Sequence, residues 1–298
     1  MGQHSRARRR RFDDDDPNFL KRYARPVPEP SDVDGPPAGD AWSSWDDAMH
    51  GPEPYPDWVV TELAAVDTEL GVLKTGKEAD VHLVERGIPD TDRSCLLAAK
   101  RYRDSGHRLF HRDAGYLEGR RVRESRQNRA MATRTAFGKQ LIAGQWAFAE
   151  FAALTRLWEV GQTLGCRIVP YPVQLRGTEL MLEFLSGPDG TAAPRLAELR
   201  PGRTELARLW RLLVDVLVVL ARAGLAHGDL SAYNILVADG VPVLIDLPQV
   251  VDVVSNPHGA RLLYRDVRNV GTWFAARGLD GVDVEGLTRE LMADAGIR

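Results

Sequence analysis

This chain of 298 residues has only two cysteines, and its positive and negative charges are nearly balanced. Cys95 and Cys166 are isolated and lack the spacing of metal ligands, which favours reduced thiols in a cytoplasmic protein over a disulfide framework. The formal net charge is only −3, so the composition shows no overall bias toward nucleic acid or membrane surfaces.

Long apolar runs are also missing. The N-terminus is basic but lacks the apolar core of a secretory signal. The most hydrophobic segment, residues 209–220, contains Arg211 and Asp215 and is too short to cross a bilayer. We therefore expect no membrane partner and predict a helix buried in a protein core, which a chain of this length can build as one large domain or two lobes.

The first part of the chain, residues 1–55, has little with which to form a core. It contains a basic run at 8–11, an acidic run at 13–16 and a tract rich in proline, aspartate and glycine at 26–37. This composition predicts a disordered, charged tail. The arginine run is either an RNA contact or, as we favour, a solvated segment beside its own counter-charges. Three aromatic residues are candidates for a short arm docked on the folded domain: Trp42, Trp45 and Tyr55.

The most informative stretch is residues 227–249, which read HGDLSAYNILVADGVPVLIDLPQ. Two short apolar runs rich in β-branched residues flank the turn pair Asp239-Gly240 and predict a β-hairpin. The hairpin brings together three oxygen-bearing side chains that lie beyond its outer ends: Asp229, Asn234 and Asp246. Converging oxygens of this kind suit a magnesium ion held against the phosphates of a nucleotide.

Residues 71–84 predict two strands around a turn at Gly76, preceded by a short helix over residues 58–70. The apolar side of that helix would carry Val59, Val60, Leu63 and Val66. The loop offers backbone N–H groups, the Thr75 hydroxyl and the Lys77 ammonium, which suit a cover over phosphates. It has neither the three glycines of a kinase loop nor a Walker arrangement, so an ordinary hairpin turn is the alternative.

Lys100 ends an apolar run at 95–100 that predicts a strand. Its side chain either reaches solvent or is held over the α- and β-phosphates, and the second role needs an acidic partner. Glu150 is the candidate, because it lies beside the apolar stripe of a helix predicted over residues 145–158. An unpaired carboxylate there would be costly to bury, and the strand lysine would satisfy it.

Between these elements, residues 101–134 predict a flexible basic loop without a sustained apolar period. Five arginines would form one basic face if the segment were helical: Arg120, Arg121, Arg123, Arg126 and Arg129. The loop is either a phosphate or RNA contact or, as we favour, a solvated insertion.

A second strand pair is predicted at 169–175 and 180–185, and a hinge follows at 186–188. Backbone groups near Glu183 and Leu185 would then face an adenine ring. Helical patterns at 205–223, 262–274 and 284–293 complete a helical second half.

These segments together resemble the RIO family of atypical serine/threonine protein kinases from about Trp58 to the end of the chain. The most specific motifs are HGDLSAYN at 227–234, IDLPQ at 245–249 and TGKEADV at 75–81. HGD-x₄-N also occurs in small-molecule phosphotransferases, so the Pro-Gln after Asp246 and the Gly-Lys-Glu-Ala loop carry the narrower assignment.

The resemblance implies an α+β, two-lobed protein-kinase-like fold. The N-terminal lobe, 56–185, would hold an antiparallel sheet and one main helix, and a reduced, mainly helical C-terminal lobe would span 186–298. ATP and Mg²⁺, with Mn²⁺ as an alternative ion, would lie in the cleft. Matched by position, Asp229 is the catalytic aspartate, Asn234 and Asp246 are metal ligands, Lys100 binds phosphate, and Glu150 is its helix partner.

Three positions differ from related kinases. Leu247 stands where phenylalanine usually follows the metal-binding aspartate, Thr75 replaces a serine, and Gly228 replaces the arginine that pairs with a phosphorylated activation loop in conventional kinases. About fifty residues follow Asp246, too few for the peptide-binding helices of a conventional kinase. The site is therefore expected to act on the chain itself or on one docked protein partner.

Four functions are compatible with these residues. The first is a serine/threonine protein kinase, with Ser105 or Ser125 among possible sites of autophosphorylation. The second is an ATPase switch in which Asp246 is transiently phosphorylated and binding to a ribosomal precursor or another RNA–protein particle is gated. A small-molecule phosphotransferase of the aminoglycoside type and a nucleotide-binding scaffold without turnover are the others. The intact set of Lys100, Asp229, Asn234 and Asp246 argues against the scaffold.

Overall fold

The computed structural model describes residues 35–36, 38–103, 136–187 and 189–297, with side chains of the first helix from Leu141 onward. The helices in this part of the chain are α1 (Ala136–Leu164), α2 (Arg203–Arg222), α3 (Gly259–Ala275) and α4 (Val284–Asp294). The strands are β1 (Ala41–Trp42), β2 (Met49–His50), β3 (Val66–Thr75), β4 (Ala79–Gly87), β5 (Ser94–Tyr102), β6 (Pro172–Arg176), β7 (Glu179–Glu183), β8 (Leu225–Ala226), β9 (Ile235–Ala238), β10 (Val241–Leu244) and β11 (Val251–Asp252).

Seven strands form one antiparallel sheet in the order β1-β3-β4-β5-β7-β6-β2. The strand pair predicted around Gly76 and the pair predicted at 169–175 and 180–185 are both present. β5 lies at the centre, between β4 and β7, so the side chain of Lys100 is carried by a strand that is supported on both sides. The α+β architecture, with a sheet and one long helix before a mainly helical second half, agrees with the predicted fold class.

The prediction that the chain is disordered up to residue 55 is wrong for its last part. β1 pairs with β3 and β2 pairs with β6, so residues 41–50 supply both edge strands of the sheet. Trp45 is buried, stacks on His50 with ring centroids 3.9 Å apart, and meets Tyr55 edge to face. The segment has no apolar period of its own. It is ordered because its two short strands pair with β3 and β6, which are distant in sequence. Of the three aromatic side chains, Trp45 is buried and Tyr55 packs against the same cluster, while Trp42 lies on β1 with 45% exposure.

The helix predicted over residues 58–70 is also wrong. Val59, Val60 and Ala65 are buried in an irregular segment, and β3 begins at Val66. Leu63, which the helical pattern placed on the buried side, is 75% exposed. Pairing of β3 with both β1 and β4 overrides the local pattern, because two ladders of backbone hydrogen bonds are available to the extended chain.

The sheet has two covered faces. Residues 45–65 cover one face, through an apolar cluster that includes Trp45, Val60, Leu97 and Tyr171. The other belongs to the main core, which contains α1, the C-terminal helices and the hairpin. The side chain of Lys100 projects toward this second face, since Ala98 and Tyr102, two residues away on either side, also contact the main core.

The C-terminal half is built on amphipathic helices. α2 buries one apolar stripe that includes Leu206, Leu209, Leu213 and Leu217, and α3 buries another that ends at Phe274. β9 and β10 pair as the predicted hairpin, with Ile235 opposite Leu244. In the described ranges, no helix combines the length and apolar character that crossing a membrane requires.

Several predictions fall outside the described residues. They are the charged runs at 8–11 and 13–16, most of the tract at 26–37, the basic segment from 104 onward with its five arginines, Ser105, Ser125, and Pro188 of the hinge. The domain boundaries drawn at 55 and 185 stay predictions, although the edge strands at 41–50 belong to the same sheet as β3 to β7.

Candidate active site

The centre of the site is the ammonium of Lys100. It lies 2.7 Å from a carboxylate oxygen of Glu150 and 2.7 Å from Asp246 Oδ1. α1 supplies Glu150 and the turn after β10 supplies Asp246, so three separate elements meet at one nitrogen. The predicted contact between Lys100 and Glu150 is present.

Glu150 is 1% exposed and has two further donors. The Tyr102 hydroxyl donates to Oε2, and the Leu247 backbone N–H donates to Oε1 at 3.0 Å. Leu247 is itself fully buried, so the residue that replaces the usual phenylalanine still fills an apolar position. Burial alone would lower the pKa of Lys100, but Glu150 and Asp246 outweigh it and hold that pKa above its ordinary value.

The hairpin places the predicted metal ligands side by side. The Ile245 N–H donates to the Asn234 carbonyl at 3.0 Å, which extends the β9–β10 ladder to the residue before Asp246. The Asn234 side-chain NH₂ donates to the Asp229 carbonyl at 3.0 Å, so the amide oxygen points away from that contact. Asp246 has φ of 66°, a left-handed conformation that non-glycine residues seldom adopt. The turn after β10 therefore redirects the Asp246 side chain toward Lys100.

The charge state of Asp246 follows from its neighbours. Burial raises the pKa of its carboxyl, but the attraction and hydrogen bond of Lys100, followed by His227 and Lys74, lower it below its ordinary value overall. Asp246 is thus ionised at neutral pH, as a ligand for a divalent cation must be.

Asp229 occupies the loop before β9, and its side chain is 42% exposed. Its Oδ1 lies 3.8 Å from Arg265 of α3, whose guanidinium also donates to the Gly228 carbonyl. The carboxylate therefore has an open side toward solvent and one cationic neighbour, an arrangement that allows it to accept a hydrogen bond from a substrate hydroxyl.

Asp266 of α3 holds this loop in place through backbone hydrogen bonds. Its two carboxylate oxygens accept the backbone N–H groups of Gly228 at 2.8 Å and Leu230 at 2.9 Å, on either side of Asp229. Burial raises the pKa of Asp266, opposed by His227 and by these two N–H groups. Asp266 is not among the site residues predicted from the sequence, although a charged residue on the buried stripe of α3 was a usable signal.

Gly228 makes the closest backbone approach in the loop. A Cβ at this position would lie 2.1 Å from the Gln249 carbonyl oxygen, and φ is 81°. Only glycine fits both constraints. The glycine that separates this loop from conventional kinases is thus required by its contact with the Pro-Gln segment after Asp246.

Side chains at the start of the predicted phosphate loop point to opposite faces of the sheet. Thr75 on β3 lies opposite Asp80 on β4, and Asp80 lies opposite Arg101 on β5. The Thr75 hydroxyl forms a hydrogen bond with the Asp80 carboxylate. Lys74 lies opposite Val81, which is opposite Lys100. Directly opposite residues share a face, so Lys74, which the sequence analysis did not select, is on the face of Lys100. Lys77 is exposed in the loop between the strands.

Near the predicted hinge, the Glu183 side chain is occupied by protein groups. It accepts the Tyr171 N–H at 3.0 Å and lies 3.1 Å from Arg167, while burial raises the pKa of its carboxyl. The Leu185 carbonyl accepts the Ala193 N–H at 2.8 Å. Leu185 also belongs to an apolar cluster with Ala193, Ala238 and Val243, which joins the hinge to the hairpin.

The donor set suits a divalent cation shared with phosphates. In the described residues, no three His, Cys, Asp or Glu side chains form a preformed metal cluster. One carboxylate, Asp246, and one amide oxygen, Asn234, fit Mg²⁺, which commonly binds through one or two protein oxygens plus phosphate oxygens and water.

Comparisons with known proteins show the family to which this chain belongs. A model of the RIO domain matches residues 100–287. The RIO-type serine/threonine-protein kinase Rio1 of Haloferax volcanii is 34% identical over 232 residues, which cover 78% of this chain and 71% of the relative.

Fungal relatives are longer. The serine/threonine-protein kinase RIO1 of Chaetomium thermophilum is 32% identical over 70% of this chain and 40% of its own, and that of Saccharomyces cerevisiae is 27% identical over 70% and 44%. The family model covers well over half of the chain, and the archaeal relative is matched along most of its length. The chain therefore belongs to the RIO family of serine/threonine protein kinases, which use ATP and a divalent metal.

Proposed function

We propose that the chain transfers the γ-phosphoryl group of Mg²⁺-bound ATP to a serine or threonine hydroxyl, with Asp229 as the catalytic residue. The observation that carries this proposal is the Lys100 ammonium held between Glu150 and Asp246, beside the hairpin end that bears Asn234 and Asp229. Phosphoryl transfer depends mainly on positioning and charge neutralisation, and these residues supply both.

In this reaction the substrate hydroxyl oxygen forms a bond to the γ-phosphorus while the bond from that phosphorus to the β–γ bridging oxygen breaks. ADP leaves with the bonding electron pair, and the hydroxyl proton passes to the Asp229 carboxylate. Lys100 orients the α- and β-phosphates, and Glu150 holds Lys100. Asn234 and Asp246 would hold Mg²⁺, which neutralises charge on the phosphates. Mn²⁺ fits the same oxygen ligands.

The adenine ring is proposed to lie between the hinge and the hairpin. Since the Leu185 carbonyl is engaged by Ala193, the Leu185 N–H is the group expected to contact the ring. The Glu183 side chain faces Tyr171 and Arg167, so a contact at Glu183 would come from its backbone. Thr75 and Lys77 are proposed to contact phosphates only if the loop around Gly76 moves inward, because the Thr75 hydroxyl is directed to Asp80.

The acceptor is proposed to be the chain itself or one docked protein partner, in the cytoplasm, where Cys95 and Cys166 would stay reduced. A ribosomal precursor or another RNA–protein particle is the partner class suggested by the family resemblance. Co-purification of the tagged chain with and without ATP tests it, since a gated partner would be retained in one state and released in the other.

The reaction is tested with γ-labelled ATP and Mg²⁺. Label on serine or threonine, stable to acid and to hydroxylamine, is the expected result. Label released by hydroxylamine would instead identify an acyl phosphate on a carboxylate such as Asp246. Phosphate release without labelled protein would leave a plain ATPase, and turnover only with an added antibiotic or small alcohol would replace the protein-kinase proposal.

A further inference from the structure

Lys74 faces the cleft from β3, two strands away from Lys100 on β5. It lies opposite Val81 on β4, and Val81 lies opposite Lys100 on β5. Neighbouring strands are about 4.8 Å apart, so the backbones of the two lysines are separated by roughly 10 Å. Lys74 therefore points to the same face as Lys100 but lies further toward the mouth of the cleft.

Arg195 approaches the same region from the C-terminal half. It forms a β-bridge with Leu236, and its guanidinium donates to the Tyr233 carbonyl, so it crosses the start of β9 next to Asn234. The positive charge of Arg195 acts on the Lys74 ammonium. The pKa of Lys74 lies below its ordinary value. Burial is the largest cause, the positive charges of Arg195 and Lys100 lower the pKa further, and the negative charge of Asp246 raises it.

The local charge is unbalanced. Lys100 is compensated by Glu150 and Asp246. Within the ranges that the structure describes, neither Lys74 nor Arg195 forms an ion pair with a carboxylate, and Asp246 is the one acidic group that acts on Lys74. Two cations in this position favour a ligand that carries about two negative charges.

We propose that Lys74 and Arg195 form a subsite for the terminal phosphate of a nucleoside triphosphate and make the site discriminate ATP from ADP. This inference rests on the proposed function, because its ligand is the nucleotide. Lys100 and the metal ligands serve the inner phosphates, which ATP and ADP share. Lys74 and Arg195 contact a group that only the triphosphate carries, so the product diphosphate binds more weakly and leaves.

The test compares three ligands in the presence of Mg²⁺ by calorimetry: the β,γ-imido analogue of ATP, ADP and adenosine. Lys74→Ser is expected to weaken binding of the triphosphate analogue about tenfold, the size of one lost charge-assisted hydrogen bond, and that of ADP by less than about twofold. Lys74→Arg is expected to restore the preference. Arg203→Ser, which removes an equal charge from a side chain that is 83% exposed, is the matched control and is expected to change neither.

Arg195→Gln provides the second measurement. Combined with Lys74→Ser, it is expected to lose less than the sum of the two single losses, because both side chains bind one phosphate. Equal weakening of the analogue and ADP by Lys74→Ser, or an unchanged preference in both single variants, would overturn the subsite. Failure of the unmutated chain to bind any adenine nucleotide would instead overturn the proposed function.

Discussion

The Lys100 ammonium and the Asp246 carboxylate are 2.7 Å apart, although 146 residues separate them along the chain. One belongs to the central strand of the sheet and the other follows the hairpin of the C-terminal half. This bond, together with that from Lys100 to Glu150, places the cation proposed to bind phosphate directly against the carboxylate proposed to bind the metal. It also makes the site part of the interface that holds the two halves together.

Loss of Lys100 is expected to destabilise the fold as well as the site. Lys100→Met leaves the Glu150 carboxylate buried without its counter-charge, which costs about 3–5 kcal/mol in the free energy of unfolding. Urea denaturation at pH 7 measures it. Lys77→Met, at an exposed lysine of the adjoining loop, is the matched control and should change stability by less than about 0.5 kcal/mol. A loss below about 1 kcal/mol for Lys100→Met would contradict the ion-pair network.

The same ion pairs predict a dependence of stability on alkaline pH. The folded-state pKa of Lys100 lies above its unfolded value of about 10.4, so the folded chain retains a proton that the unfolded chain loses. The contribution is complete below pH ~10.4 and is lost as pH rises through the higher folded value. The unfolding free energy of the unmutated chain should therefore fall more steeply than that of Lys100→Met above this pH. Parallel curves would show that Lys100 gains no net stabilisation from its carboxylates.

Asp229→Asn should separate chemistry from binding. The amide cannot take the hydroxyl proton, so kcat is expected to fall by about 100-fold or more, while ATP affinity changes little. Because the Asp229 side chain is half-exposed, we expect the variant to fold as the unmutated chain does, and the melting temperature checks this. Asp280→Asn, at a carboxylate that is 91% exposed, is the control. Unchanged turnover in Asp229→Asn would remove this residue from the mechanism.

Asp266→Asn tests the support of the loop that carries Asp229. An amide offers one acceptor oxygen, so it can satisfy only one of the Gly228 and Leu230 N–H groups that the carboxylate now bonds. We expect kcat to fall about tenfold or more, with KM for ATP nearly unchanged, because the loop that carries Asp229 is displaced while the nucleotide contacts remain. Steady-state kinetics give both constants. An effect on KM alone would contradict a positioning role.

Gly228→Ala tests the close approach to Gln249. The added Cβ would lie 2.1 Å from a carbonyl oxygen, in addition to the cost of a positive φ. Gly278 has φ of 87° and nothing within 4 Å of its would-be Cβ, so Gly278→Ala measures the backbone cost alone, about 1–2 kcal/mol. Gly228→Ala should exceed it clearly in a denaturation experiment and should also lower turnover. Equal losses would mean that the Gln249 contact relaxes freely.

Local sequence was sufficient for the parts of the site whose geometry is set by neighbours along the chain. The run of β-branched and apolar residues around Asp239-Gly240 makes a hairpin in which Asn234 and Asp246 are adjacent, because a two-residue turn allows one register. Lys100 and Glu150 could be paired because a strand lysine and a carboxylate on a buried helix face each need an opposite charge.

Long-range packing decided the rest. Residues 41–50 and β3 have no strong pattern of their own and are extended because the sheet offers them backbone partners. The register of β3 against β4 and β5, including its bulge between Val72 and Lys74, turns Lys74 rather than Thr75 toward Lys100. A shift of one residue would reverse these faces, and such a register depends on contacts between distant segments, which spacing along the chain does not encode.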